Sequence, residues 1–238
     1  MSKRAIILAG GKGARLRPYT VVLPKPLMPV GEYPVLEIII RQLAFHGFEH
    51  ITLTVNHQAE IIKAFFGDGS KWNINIDYSF EDKPLSTMGP LTLISDLPEN
   101  FLVMNGDVLT DLNFNAFFDL HVKNDKIFTI SAYNRFEVSE YGVLEGDEKN
   151  ILTRFIEKPK RDYTVCMGIN MVNRNILNFI PKDTFFGFDH LMYKLLEQDE
   201  KVLIHKYQGY WLDIGRPDDY MQAIDDLEIL KEKIMPWM

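Results

Sequence analysis

The 238 residues are 46% hydrophobic and 25% charged, the balance of a folded globular chain, which excludes general disorder. A net charge of −7 argues against a nucleic-acid coat and leaves room only for a local basic patch. Cys166 is the only cysteine, so an intramolecular disulfide and a cysteine-rich zinc site are excluded and nothing points to an oxidising compartment. The apolar opening, Ala5 to Ala9, is too short for the core of a signal peptide, and Gly10-Gly11-Lys12-Gly13 interrupts it at once. No stretch approaches the roughly 20 apolar residues that span a bilayer. The expectation is a cytoplasmic protein with no membrane and no nucleic-acid partner.

Ala5–Ala9 reads as a buried strand followed by a loop rich in Gly, Arg and Pro. Tyr33 to Phe48 carries apolar residues at helical spacing (Leu36, Ile39, Ile40, Leu43, Ala44), with Gly47 as a stop. A strand over His50–Val55, a helix over Ala59–Phe66 closed by Gly67, and a strand over Ile74–Phe80 follow. Gly89–Leu97 reads as a helix ended by Pro98, and Phe101–Met104 as a strand stopped by Asn105-Gly106-Asp107. This succession argues for a largely parallel sheet with helices on both faces.

The second half alternates less regularly. Lys126–Tyr133 is a strand, and Gly142–Glu145 pairs with Leu152–Glu157 across the turn Asp147–Asn150. A strand over Val165–Val172, helices over Asn175–Phe179 and His190–Gln198, and a strand over Val202–Lys206 come next. An amphipathic helix from about Pro217 to Lys233 places Tyr220, Ile224, Leu227, Leu230 and Ile234 on one stripe. Neither a repeat nor a linker divides residues 1–238, so one domain is expected, with a parallel half to about residue 110 and an accessory half from about 111.

The first loop is the most informative segment. It follows the first strand, at the end where ligands of open α/β sheets bind. Its glycines let backbone N–H groups approach a phosphate or base, and Lys12, Arg15, Arg17 and Lys25 add cations. The bland reading is a tight turn with solvated charges. A P-loop fails because Ala14-Arg15 follows Gly13, and the dinucleotide fingerprint fails because Leu16 stands where a third glycine belongs.

Gly10-Gly11-x-Gly13-x-Arg15-Leu16-x-Pro18, followed by Leu23-Pro24-Lys25-Pro26-Leu27, resembles the signature of sugar-1-phosphate nucleotidyltransferases. The resemblance continues through Leu85-Ser86-Thr87-Met88-Gly89-Pro90-Leu91, Asn105-Gly106-Asp107, Tyr141-Gly142-Val143, Glu157-Lys158-Pro159, Gly168-Ile169-Asn170 and Gly209-Tyr210-Trp211-Leu212-Asp213-Ile214-Gly215, in the family's order. The wording is most similar to that of mannose-1-phosphate guanylyltransferases. The resemblance implies a Rossmann-like α/β fold, a mixed, mostly parallel sheet flanked by helices. The chain stops soon after its last predicted helix, so a single domain without the C-terminal β-helix of many members is expected.

The implied chemistry is in-line attack of a sugar-1-phosphate oxygen on the α-phosphorus of a nucleoside triphosphate, releasing pyrophosphate. Two polyanions must meet, so catalysis is positioning and charge neutralisation. By resemblance, Leu8, Ala9, Gly10, Gly11, Gly13, Thr87 and Gly89 hold the nucleotide, while Arg15 and Lys25 act on the triphosphate. Asp107 and Asp213 would ligate Mg²⁺ at one rim of the sheet, although each aspartate alone reads as a turn or cap. Lys158 would contact the sugar phosphate; Glu157, Asn170, Asn105, Tyr141 and the Gly142 backbone belong with the sugar, or Glu157-Lys158 is merely an exposed strand end. Trp211 reads equally as core or as sugar-pocket lining.

Three departures bear on base choice and phosphate contacts: Ala14 replaces the family's usual Thr, Ser86 its Gly and Met88 its Ala. Glu81 offers an acceptor for guanine N1–H and N2–H₂ if it reaches the pocket, which favours GTP; a surface position is the alternative. His46, His50, His57, His121, His190 and His205 show no metal-ligand spacing. The apolar ending Ile234-Met235-Pro236-Trp237-Met238 packs on the domain or on a second subunit, the latter making a homo-oligomer. Competing readings are a catalytically silent nucleotide-sugar sensor, a glycosyltransferase of similar architecture, and a nucleotidyltransferase acting on a phosphorylated non-sugar alcohol.

Overall fold

A computed structural model describes residues 2–56 and 58–238. The chain runs through β1 (Lys3–Leu8), the short pair β2 (Pro29–Val30) and β3 (Tyr33–Pro34), α1 (Val35–Phe45), β4 (Phe48–Val55), α2 (Ala59–Phe66) and β5 (Asn75–Phe80). Then come β6 (Asn100–Asn105), β7 (Val108–Thr110), α3 (Phe114–Asn124), β8 (Phe128–Val138), β9 (Val143–Gly146), β10 (Leu152–Ile156) and β11 (Lys160–Asn173). The last elements are α4 (Phe188–Glu197), β12 (Leu203–Tyr207), β13 (Trp211–Asp213) and α5 (Pro217–Ile234).

Seven strands form the central sheet in the order β12-β8-β11-β6-β1-β4-β5. Strand β11 alone is antiparallel to both its neighbours; every other pairing in this sheet is parallel. The sheet is therefore mixed and mostly parallel, and the second half of the chain extends the same sheet as the first.

Alternation along each strand fills two cores. Ala5 and Ile7 of β1 and Leu102 and Met104 of β6 face a core covered by α1, α2, α3 and α5. Ile6, Phe101 and Val103 face the other, where Leu191 and Leu195 of α4 join Leu91 and Phe128. Strands buried on both faces read as continuous apolar runs, which explains why Ala5–Ala9 lacked alternation.

Helix boundaries mostly follow the apolar spacing, and α2 falls where the sequence placed it. Two segments differ. Gly89–Leu97 is not an α-helix: only Gly89–Leu93 forms a 3₁₀ turn, and Arg174–Phe179 is likewise 3₁₀. Pro90 stands at the start of the Gly89–Leu93 turn, its buried residues are Gly89, Pro90 and Leu91, and Ile94 is already extended. The sequence reading missed helix α3 and the short strands β2, β3 and β7. In α3 the Asn113 side chain caps the Ala116 N–H at 2.9 Å, and Phe114, Phe117, Phe118 and His121 bury one stripe of the helix. Its aromatic content weakens helix propensity, so the pattern had to carry the assignment alone.

At the C-terminal end, Ile234 and Met235 are buried and Trp237 packs on the same core. Gln42 Nε2 donates to the Ile234 carbonyl at 2.7 Å, so this apolar segment lies on the domain itself.

Candidate active site

The parallel strands end together on one edge, and two adjoining cavities open there. The larger, of about 430 Å³, is lined by Leu8, Gly10, Gly11 and Lys12 from β1 and its loop, by Thr54 and Asn56 from β4, and by Glu81 after β5. Ser86, Thr87, Asn105, Asp107 and Phe185 complete the wall. The smaller, of about 210 Å³, is lined by Met88, Cys166, Met167, Asn170, Phe188, Trp211 and Asp213. Leu8, Thr87 and Asn105 belong to both, so one ligand in each cavity would meet across these three side chains.

Asp107 and Asp213 come from distant parts of the chain. Strand β7 pairs antiparallel with β13, setting Asp213 opposite Val108, and the Ile214 N–H donates to the Asp107 carbonyl at 3.0 Å. Lys25 is buried in a 3₁₀ turn after Pro24, whose carbonyl accepts the Leu27 N–H at 2.8 Å. Its Nζ bonds Asp107 Oδ2 and lies 4.0 Å from Asp213 Oδ1. The Arg15 guanidinium sits beside the same carboxylate: a Cβ on Gly215 would lie 3.2 Å from its Nη2 and 3.4 Å from Asp213 Oδ1. Burial pushes the Asp213 carboxyl above its ordinary value and the Asp107 charge adds to the rise, while Lys25 and Arg15 oppose it.

Asp107 Oδ1 and Asp213 Oδ1 are both buried without a hydrogen-bond partner among the described residues. An unpartnered buried carboxylate oxygen is costly, and two together form a hard, anionic donor set. Mg²⁺ characteristically takes one or two carboxylates and completes its shell with substrate phosphates and water, so the pair fits that ion. Among the described residues, no group of three or more His, Cys, Asp or Glu could hold a metal alone.

Glu81 is held inward. Its N–H donates to the Val55 carbonyl at 3.0 Å, its own carbonyl accepts Asn56 Nδ2 at 2.9 Å, and Oε2 accepts the Leu85 N–H at 3.1 Å. Burial raises its carboxyl pKa against that last bond. In the smaller cavity, Gly168 sits at the irregularity of β11 with φ +73°, and a Cβ there would lie 2.6 Å from Asn105 Nδ2. Asn170 is 4% exposed, and its Oδ1 is buried with no partner among the described residues. Trp211 Nε1 donates to the Met167 carbonyl at 2.9 Å and its ring lies 5.5 Å from Tyr133, so Trp211 both packs on the core and lines the cavity.

The structure thus gathers Leu8, Gly10, Gly11, Glu81, Thr87, Asn105, Asp107, Asn170, Trp211 and Asp213 on the two cavity walls. Ala9, Gly13 and Gly89 line neither cavity. The Ala9 N–H goes to the Thr54 carbonyl at 2.9 Å, the Gly13 carbonyl accepts the Thr20 hydroxyl at 2.7 Å, and the Gly89 N–H goes to Phe186 at 2.9 Å. Tyr141, Gly142, Glu157 and Lys158 line neither cavity; they flank the foot of the β9–β10 hairpin, the first two before Val143 and the last two after Ile156, and Tyr141 is 77% exposed.

Sequence reasoning missed Thr54, Asn56, Phe185 and Phe188. The first two end a parallel strand on the ligand edge, so the strand-end rule could have found them. Nothing in the sequence marks the two phenylalanines.

The chain belongs to the nucleotidyl transferase family, whose model matches residues 4–229. It is 31% identical over 229 residues to a mannose-1-phosphate guanylyltransferase of Mycobacterium tuberculosis, covering 94% of this chain and 64% of that protein. A UTP–glucose-1-phosphate uridylyltransferase of Synechocystis is 33% identical over 241 residues, covering 93% and 62%. The chain therefore spans under two thirds of the length of these relatives. Among solved structures, HddC from Yersinia pseudotuberculosis superposes with a TM-score of 0.75 at 25% identity over 94% of this chain and 99% of that one. HddC complexed with GMP-PN superposes with a TM-score of 0.71. No helix among the described residues is long and apolar enough to cross a membrane.

Proposed function

We propose that this chain transfers a nucleoside monophosphate from a nucleoside triphosphate, GTP in preference, to a sugar-1-phosphate. The observation that carries the reading is the facing pair Asp107 and Asp213, flanked by Lys25 and Arg15, at the junction of two cavities. The relatives' names supply the substrate classes, and HddC with GMP-PN supports a guanine nucleotide.

In this reading the larger cavity takes the triphosphate. The Gly10-Gly11 backbone approaches it closely, Lys12 and Arg15 neutralise its charge, and the free Oε1 edge of Glu81 accepts from the base. The sugar phosphate enters the smaller cavity, with Asn105 and Asn170 turned to its hydroxyls. Glu157 and Lys158, which line neither cavity, are assigned to the sugar phosphate by the family motif. A sugar-phosphate oxygen attacks the α-phosphorus in line; its bond to phosphorus forms as the bond to the bridging oxygen breaks and pyrophosphate leaves. Asp107 and Asp213 would hold Mg²⁺, which supplies positive charge against the reacting phosphate oxygens. Lys25 keeps the two carboxylates together, and a single cysteine accords with a cytoplasmic setting.

The test is product analysis. Protein, MgCl₂, GTP and a hexose-1-phosphate are incubated and the products separated by mass. A nucleotide-diphosphate sugar with one equivalent of pyrophosphate supports the reading. Release of GDP with the γ-phosphate passed to water or to the hexose phosphate, and no nucleotide-diphosphate sugar, would mark cleavage at the wrong phosphorus and overturn it.

A further inference from the structure

The segment from Thr184 to Phe188 lies across the lip of both cavities, laced to residues 85–89. The Phe186 N–H donates to the Leu85 carbonyl at 3.0 Å, and its carbonyl accepts the N–H groups of Met88 at 3.0 Å and Gly89 at 2.9 Å. The Phe188 N–H goes to Thr87 Oγ1 at 2.8 Å and the Gly187 N–H to His190 Nδ1 at 3.0 Å. With these donors satisfied, the strap is a fixed part of the site. Phe186 turns inward to pack on the second core, whereas Phe185 is 60% exposed.

Packing does not require an aromatic ring at position 185. Yet the ring is set: it meets the His190 ring edge-on, with centroids 6.2 Å apart and planes at 73°. It lines the larger cavity on one side and a surface groove with Tyr193 and Lys194 on the other, forming the wall between them. The cavity wall it shares includes Glu81, Pro84 and Ser86, while Gly10 and Gly11 contribute no side chain. A carboxylate for the edge and an apolar ring for the face are the two contacts that a planar heteroaromatic ring uses.

We propose that Phe185 is the stacking wall for the nucleobase of the bound triphosphate, supplying affinity through its ring face where Glu81 reads its edge. The proposal rests on the nucleotidyl-transfer reading in taking the larger cavity as the triphosphate site. Because the ring is mostly exposed, its removal leaves the fold intact.

The experiment measures equilibrium binding of GTP and of inorganic tripolyphosphate to the wild-type chain, Phe185→Ala and Phe185→Tyr by calorimetry with MgCl₂. Loss of one base–aromatic stack predicts GTP affinity weaker by about tenfold in Phe185→Ala. Tripolyphosphate affinity stays within twofold and Phe185→Tyr binds GTP as wild type does. GTP affinity within twofold of wild type in Phe185→Ala, or an equal loss for tripolyphosphate, overturns the proposal. Binding is read without turnover, so the two readings fail separately. Phe185-dependent GTP binding with no transfer to any sugar-1-phosphate sinks the reaction alone, and turnover with Phe185-independent GTP binding sinks the stacking wall alone.

Discussion

Asp107 and Asp213 face each other because a three-residue ladder between β7 and β13 holds them there: Asp213 pairs with Val108, and the Ile214 N–H reaches the Asp107 carbonyl at 3.0 Å. The ladder is extended at its far end. Thr110 Oγ1 donates to the Tyr210 carbonyl at 2.8 Å, and Asp111 Oδ1 accepts the Tyr210 N–H at 2.6 Å and the Tyr207 hydroxyl. Two like charges held this way lose solvation and repel one another, and Lys25 and Arg15 offset both effects. The acidic pair is thus assembled by backbone pairing and sustained by two cations.

Gly168 holds Asn105 in the wall shared by the cavities. Its φ of +73° and the 2.6 Å approach of a would-be Cβ to Asn105 Nδ2 both oppose a side chain. Gly168→Ala should destabilise the fold by about 1–3 kcal/mol. It should also displace Asn105, raising KM for the sugar-1-phosphate. Urea unfolding and steady-state kinetics check the two effects; a native midpoint would contradict this view of the bulge.

Glu81 presents an acceptor edge to the larger cavity, and only guanine offers adjacent N1–H and N2–H₂ donors to it. Glu81→Gln replaces one acceptor by a donor facing those groups. The ratio of kcat/KM for GTP over ATP should fall by about tenfold, the cost of one mismatched hydrogen-bonding pair. An unchanged ratio removes Glu81 from base selection.

His121 makes acid stability legible. It is 1% exposed, with Nδ1 2.7 Å from Thr129 Oγ1 and Nε2 without a partner among the described residues, and burial lowers its pKa from 6.5 to about 4. The unfolded chain takes up this proton first as pH falls. Its contribution is therefore complete above about 6.5 and lost on descending towards 4, a span of about 3 kcal/mol. His121→Leu should flatten that part of the curve when urea midpoints are compared at pH 7 and pH 4.5. An equally steep fall in the variant would assign the acid lability elsewhere.

The parallel strands of the first half and the helices α1 and α2 were plain in the sequence because buried parallel strands leave short apolar runs closed by glycine or a charge, whereas the helix expected over Gly89–Leu97 is only a 3₁₀ turn. Helix α3 was not, since Phe114, Phe117 and Phe118 at helical spacing have no strong helix formers to support them. The aspartates could be paired by their motifs, but their convergence depends on β7 and β13, strands of three residues each and too short for a period to show. Lys158 and Glu157 carry the motif wording while their hairpin stands clear of the cavities, because a motif records residue types and not the position of an arm. Phe185 has no motif at all; only the lacing of its strap to residues 85–89 reveals it.

The most direct measurement is pyrophosphate release with MgCl₂ across four nucleoside triphosphates and a panel of sugar-1-phosphates, run with the wild-type chain and Asp107→Asn. Release should require both substrates, be fastest with GTP, and fall by about a hundredfold or more in Asp107→Asn, whose circular dichroism stays native. Release undiminished in Asp107→Asn, or absent from the wild-type chain with every pair, would contradict the assignment.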